Sequence, residues 1–260
     1  MVSNSGKTNL KKILEESQNL SGYDLGETIE SLARKLDRKP SEITKLNSNE
    51  NFFLPLGFLR GLLKEVAEEV DPRLYPGEET SELRKALAKH VGASPEEIVI
   101  GTGGDQLIDL VSRMTLRYGD EALSIAPTFS IYEQCTKIQR AVYKSVPLKN
   151  DFSLDTEEIL SSVTARTKLL FLCSPNNPTA NQFDRQDIER LIQDFVGLVI
   201  IDEAYADFAE YSIVDLVEEF ENIIVLRTFS KAFGLAGLRL GYAVTNSKLA
   251  ALVLEKLQLP

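Results

Sequence analysis

Leu198-Val-Ile-Ile-Asp-Glu-Ala-Tyr205 sets an unbroken aliphatic run directly against two acids and a tyrosine. A β-run that is apolar at every position, not at alternate ones, is one buried on both faces. The same kind of run recurs upstream at Lys168–Cys173 and downstream at Ile223–Arg227, with helical patterns at Asp184–Phe195 and Ile213–Glu219 between them. Further out, strands are expected at Glu97–Ile100 and Ala122–Ile125. Helices are expected at Leu59–Val70, about Glu79–His90, Asp105–Tyr118 and from about Ser130. The helix over 59–70 should stop before Asp71-Pro72, since a residue preceding proline is pushed out of the helical region. Buried strands spaced by helices predict an α/β fold, with a mostly parallel central sheet flanked by helices on both faces.

Toward the N-terminus the character changes. Residues 7–38 read as two polar helices, KTNLKKILEESQNL and ETIESLARKLDRK, split by the turn-like SGYDLG, and residues 47–57 read as an extended loop. The first residues, MVSNSGKTNLKK, show neither an apolar signal core nor an Arg-rich amphipathic pattern. The longest apolar runs fall well short of the roughly 20 residues of a membrane span. A cytoplasmic location is the expectation.

The 260 residues carry 39 acids against 29 bases, a net charge of -10, which argues against general nucleic-acid binding. The single histidine, His90, excludes a multi-histidine metal site, and within the run Ser81–Val91 it reads as a surface side chain near a helix end. Cys135 and Cys173 are far apart and form no Cys-x-x-Cys pattern, so two reduced structural thiols are expected.

In open α/β sheets, ligands bind beyond the carboxyl ends of the strands. The segments there are GTGGD (101–105), APTF (126–129), SPNNPT (174–179), DEAY (202–205) and TFSK (228–231). Gly101–Asp105 joins a strand to a helix, so its backbone N–H groups and the helix dipole suit a phosphate. A turn capped by Asp105 explains the same composition equally well. The segment lacks a following Gly-Lys-Ser/Thr and has Gln106 where a dinucleotide fingerprint needs glycine, which weakens a nucleotide-binding reading. Lys231, just past a buried strand, could attack a carbonyl to form a Schiff base, or could simply be a surface lysine. Asp202 could serve a metal, a general base or a pyridinium nitrogen, or cap a turn; Glu203 should face the opposite side of the strand. Arg239 sits among glycines and aliphatics and needs an anion, either a phosphate or a nearby acid. Asn177, in Asn176-Asn177-Pro178-Thr179, fits a tight turn or a hydrogen bond to a bound ring.

Taken together and in order, SPNNPT, DEAYADF and TFSKAFGLAGLRLGY resemble the fold-type I pyridoxal-phosphate aminotransferases. Among these the chain is most similar to the histidinol-phosphate aminotransferase family. The likeness takes in Asn49-Glu50-Asn51, the Tyr75-Pro76-Gly77 turn, GTGGDQLI and APTFSIY, over roughly residues 45–245. It implies an aspartate-aminotransferase-like large domain over 47–260, with residues 1–46 as a helical arm belonging to an incomplete small domain.

The resemblance also implies the cofactor pyridoxal 5′-phosphate and a role for each residue. Lys231 would join the cofactor aldehyde and later serve as acid and base for the proton shift. Asp202 would pair with the ring nitrogen, while Tyr205 and Asn177 would bond the ring hydroxyl. Phe129 would stack on the ring. Gly104, Asp105, Thr228, Ser230 and Arg239 would hold the phosphate. Tyr75 would reach the phosphate of a neighbouring subunit, which implies a homodimer with shared sites. Asn49 would lie in a loop over the substrate, with Tyr75 and Asn177 also near it. No metal and no nucleic acid or membrane partner is implied.

Two departures stand out. Ala180 takes the place of a family glycine, so the loop is strained if that position needs positive φ. The family sequence also continues beyond the position of Pro260, with an arginine for the substrate carboxylate that nothing here plainly replaces. The expected activity is ping-pong transamination, with glutamate as donor and imidazole-acetol phosphate as acceptor. The competing expectations are a threonine-phosphate decarboxylase, an aromatic aminotransferase, and a cofactor-binding but catalytically silent fragment.

Overall fold

The computed structural model describes residues 26–71, 73–75 and 77–250, with isolated positions between 10 and 20 and residue 256. Two compact units divide the chain, Met1–Asn49 and Glu50–Pro260. In the first, helix α1 (Ile29–Leu36) starts at Thr28, whose hydroxyl accepts from Ser31 N–H, and stops where Asp37 turns left-handed. The expected SGYDLG turn falls mostly outside the described residues, and the helix expected before it is seen only at scattered positions such as Leu10–Lys12.

The second unit is built on seven strands: β1 (Ile98–Gly101), β2 (Glu121–Ala126), β3 (Val142–Pro147), β4 (Thr167–Cys173), β5 (Leu198–Asp202), β6 (Ile223–Thr228) and β7 (Gly241–Thr245). They lie in the order β1-β7-β6-β5-β4-β2-β3, and β7 alone runs antiparallel to its neighbours. The expected mostly parallel sheet is therefore present. Helices α2 (Leu56–Glu69), α3 (Glu78–Val91), α4 (Gly103–Thr115), α5 (Ile131–Ile138), α6 (Thr156–Ser161) and α7 (Arg185–Asp194) accompany it.

Alternation along each strand sorts side chains into two cores. Val199 and Ile201 join one, with Leu191 and Ile192 of α7. Ile200 joins the other, with Leu107 of α4 and Tyr132 of α5. Asp202 continues the Ile200 side, and Glu203 takes the opposite one, as its partners Ser212 and Ile213 show. In register, Cys173, Asp202 and Leu226 form a row across β4, β5 and β6, so these strands reach the site face together.

Several boundaries differ from the sequence expectation. The helix expected to reach Tyr118 ends at Thr115, because the Arg117 guanidinium folds back onto the carbonyls of Arg113, Met114 and Leu116. The helix expected at Ile213–Glu219 is only a 3-10 turn, Val214–Val217. Strands β3 and β7 and helix α6 were not foreseen. His90 lies half-exposed in the last turn of α3, its Nε2 3.9 Å from Asp207. Both cysteines are free and buried.

At the far end of the sheet, Glu121 is 1% exposed yet charged. Burial alone would raise its carboxyl; hydrogen bonds from Lys144, Thr164 and Thr167 outweigh that and hold it at about 2. A carboxyl lowered on folding adds stability above its usual value near 4.5, and that share is lost as pH falls through about 2. Glu121→Gln is therefore expected to cost about 2 kcal/mol at pH 7. Denaturant titrations of both chains at several pH values should show that gap closing toward pH 2.

Candidate functional site

The chain steps outward from β2 to β3, then returns past β2 to β4, β5 and β6. Such a reversal opens a crevice at the carboxyl ends of the strands. Asp202 ends β5 at this crevice and is 7% exposed. Its Oδ2 accepts from the Tyr132 hydroxyl at 2.7 Å and its Oδ1 from Ala204 N–H at 3.0 Å. Burial raises this carboxyl to about 6, against the lowering effect of those two bonds and of Lys231.

Lys231 follows β6 in a tight turn, closed by Gly234 N–H donating to its carbonyl. Its Nζ lies 5.6 Å from the centre of the Tyr205 ring. Burial lowers its pKa, opposed by the charges of Asp105, Asp202 and Glu50. The turn is clamped by Asn51, whose Nδ2 donates to Ala232 O at 2.8 Å. The amine and the buried acid thus feel one another, and the Tyr205 ring lies beside the amine.

The opposite end of the crevice suits an anion. Gly103 and Gly104 open α4 with backbone N–H groups that have no carbonyl partner within the helix. Gly103 has φ +78, and a Cβ there would lie 2.7 Å from Arg239 Nη2. Gly241 brings β7 so close that its own added Cβ would meet Gly103 C and Gly104 N, each at 2.7 Å. Arg239 pairs with the Asp105 carboxylate at 2.9 Å. Thr228 and Ser230 hydroxyls lie 3.0 Å apart, and Ser230 is buried.

The remaining candidates are placed less closely. Phe129 meets the Tyr132 ring edge-on, centroids 5.7 Å apart. Asn177 follows the loop residue Asn176, whose side chain is engaged by Thr128, Pro127 and Thr179. Tyr75 is 87% exposed. Asn49 belongs to the N-terminal unit and has φ 53. The sequence reading passed over Tyr132, because a tyrosine in a helical pattern reads as core. Its one signal is that a buried phenol needs a partner for its hydroxyl.

These features are met in known proteins. The model of the aminotransferase class I and II family matches residues 41–258. The chain belongs to this aminotransferase family. The histidinol-phosphate aminotransferase of Methanosarcina mazei is 42% identical over 234 residues, covering 89% of this chain and 63% of that protein. A crystal structure of the Sinorhizobium meliloti histidinol-phosphate aminotransferase, in complex with pyridoxal-5′-phosphate, superposes with a TM-score of 0.81 at 27% identity. That match covers 94% of this chain and 65% of the other. A Thermus thermophilus aspartate aminotransferase mutant gives a TM-score of 0.63 at 26% identity, over 68% of this chain and 52% of that one. The chain thus spans a little under two thirds of the length of its histidinol-phosphate aminotransferase relatives. The fold is that of the aspartate-aminotransferase-like, fold-type I large domain.

Ala180 lies in the left-handed region, φ 60, where the resemblance places a glycine. Its loop is closed by Asn176 N–H donating to Asn181 O and Ala180 N–H donating to Asn176 O, both at 2.8 Å. A side chain in this backbone conformation costs about 1–2 kcal/mol, of which glycine's larger unfolded freedom returns a part. Ala180→Gly is expected to raise unfolding stability by about 1 kcal/mol. Chemical denaturation would register it, and an unchanged or lower midpoint would show that the loop carries no such strain.

Proposed function

We propose that this protein is a pyridoxal-phosphate-dependent histidinol-phosphate aminotransferase, exchanging an amino group between glutamate and imidazole-acetol phosphate to give 2-oxoglutarate and L-histidinol phosphate. One observation carries the reading: the Lys231 amine, its pKa lowered by burial, stands over the Tyr205 ring and interacts electrostatically with the buried Asp202. The group fits the residues present. Gly103 and Gly104 offer free N–H groups at the start of α4, a Cβ on Gly103 would fill the space beside Arg239, and Thr228 and Ser230 add hydroxyls after β6.

In this reading the phosphate is held by the α4 N-terminus at Gly104 and Asp105, with Thr228, Ser230 and Arg239. Phe129 supports the ring face, and Asn177 and Tyr205 bond the ring hydroxyl. When bound, the cofactor supplies an aldehyde and an electron-withdrawing ring. Lys231 Nζ, its pKa lowered by burial, offers the neutral amine needed to bond that aldehyde and to take up and return a proton. Asp202 offers a carboxylate for a protonated ring nitrogen. Tyr75 completes the substrate side, from a second subunit.

A homodimer in the cytoplasm goes with this reading. Helix α2 buries none of its residues and shows Leu56, Phe58 and Val66 to solvent, while Phe53 before it is 99% exposed. An apolar face of that kind calls for cover. No described helix is long and apolar enough to cross a membrane.

Borohydride reduction of the cofactor-loaded chain should add at Lys231 the mass of one cofactor less its aldehyde oxygen, which leaves as water before two hydrogens are gained, and Lys231→Ala should abolish the adduct. An adduct surviving in that variant identifies the wrong lysine. Asp202→Asn should keep the adduct while slowing the glutamate half-reaction by about 100-fold or more. A near-normal rate there removes the role given to Asp202. Turnover of phenylpyruvate but not of imidazole-acetol phosphate would replace the substrate assignment.

A further inference from the structure

Tyr132 is fully buried and occupies the first turn of α5. Its ring stacks flat on Phe171 of β4, centroids 4.9 Å apart and planes within 7°. Its edge meets Phe129 at an interplanar angle of 85°. These two contacts leave the hydroxyl little freedom of aim, and it donates to Asp202 Oδ2 at 2.7 Å. With Oδ1 taken by Ala204 N–H, both carboxylate oxygens are fixed by neutral donors.

We propose that Tyr132 is the positioning residue of this site, holding the Asp202 carboxylate ionised and in one orientation while its ring sets the angle of Phe129. The proposal rests on the cofactor reading above. It extends that reading to a residue given no cofactor contact in it, and it joins two groups assigned to different aspects of the ring, one to its nitrogen and one to its face.

The physical argument is one of balance. A buried carboxylate without donors would take up a proton. Cys173 of β4, Asp105 of α4 and Lys231 after β6 also act electrostatically on the Asp202–Tyr132 pair. The thiol is itself pushed up by burial and stays neutral, and Asp105 opposes ionisation of Asp202. Lys231 favours the ionised acid but ranks below the phenol and the Ala204 N–H in doing so. That leaves the phenol as the strongest of the groups favouring the ionised acid. The phenol's own pKa is raised by burial and by Asp202, so it remains a donor.

Tyr132→Phe removes the hydroxyl and keeps both ring contacts. In cofactor-free chain labelled with 13C-aspartate, the Asp202 resonance, assigned by its absence in Asp202→Asn, is expected to titrate at higher pH than in the parent. Added pyridoxal phosphate should bind about tenfold more weakly, the loss of one hydrogen bond to a charged group, with the Lys231 adduct still formed. A parent-like Asp202 midpoint together with parent-like cofactor affinity would overturn the proposal. Should Tyr132→Phe not fold, 3,5-difluorotyrosine at position 132, nearly the same in shape and a stronger donor, is expected to move the midpoint down; an unmoved midpoint overturns it equally. Should the parent form no adduct at Lys231, the cofactor reading falls. The titration of cofactor-free chain still decides whether Tyr132 governs Asp202.

Discussion

Two adjacent acids at the end of β5 meet the same cost of burial and are compensated differently. Glu203 is 2% exposed and lies against Arg227, whose Nε sits 2.8 Å from it as an ion pair and not as a directed hydrogen bond. Ser212 Oγ and Ile213 N–H donate to the same carboxylate. It is a structural pin on the face away from the crevice. Asp202 instead accepts from two neutral donors, the Tyr132 hydroxyl and Ala204 N–H, while the positive charge of Lys231 acts on it electrostatically. The difference follows from strand alternation alone: a one-residue slip of β5 would exchange the two acids and dismantle the site. The row Cys173–Asp202–Leu226 fixes that register from both sides.

Opposite shifts at Asp202 and Lys231 share one cause. Desolvation moves the acid up and the amine down, so each is less charged than it would be in water. A crevice whose acid and amine are drawn toward one another in this way, one raised and one lowered, suits proton handling. At the other end, the Arg239–Asp105 pair is about half exposed on both sides. Exposed pairs of this kind contribute little, typically under about 1 kcal/mol, so the guanidinium can turn to a phosphate at small cost.

Much of this was legible in the sequence because it depends on local pattern. The buried runs of β4, β5 and β6 declared themselves by uninterrupted apolar residues, and the groups at their carboxyl ends followed from that. Strand β7 was not legible: five residues after a glycine-rich stretch carry no period that says they insert antiparallel between β1 and β6. β3 was hidden by Lys144 and Pro147, residues suited to an edge strand but not to the apolar template. The early stop of α4 depended on one arginine folding back. Tyr132 depended on the crossing of α5 over the sheet, which brings together residues 70 positions apart. Ala180 was legible only through family resemblance, since nothing else in the chain requires a left-handed backbone there.

The crevice is assembled from segments that never meet in sequence, and each is held by a contact outside it. Asn51 grips the turn bearing Lys231 through Ala232 O, and Leu54 packs against Gly234 so closely that an added Cβ there would sit 2.9 Å from it. Gly241 admits the α4 N-terminus to the edge of β7. Phe171 orients Tyr132 from the floor of the sheet. Each supporting contact comes from a packed or backbone-fixed element, so the spacing of the lysine, the acid and the anion cradle is set by the protein's own packing. Such preorganisation lowers the ordering cost of binding, and the glycines around the crevice serve it by close approach: Gly241 meets the backbone of Gly103 and Gly104, Gly103 the Arg239 guanidinium, Gly101 the Leu107 side chain and Gly234 the Leu54 side chain.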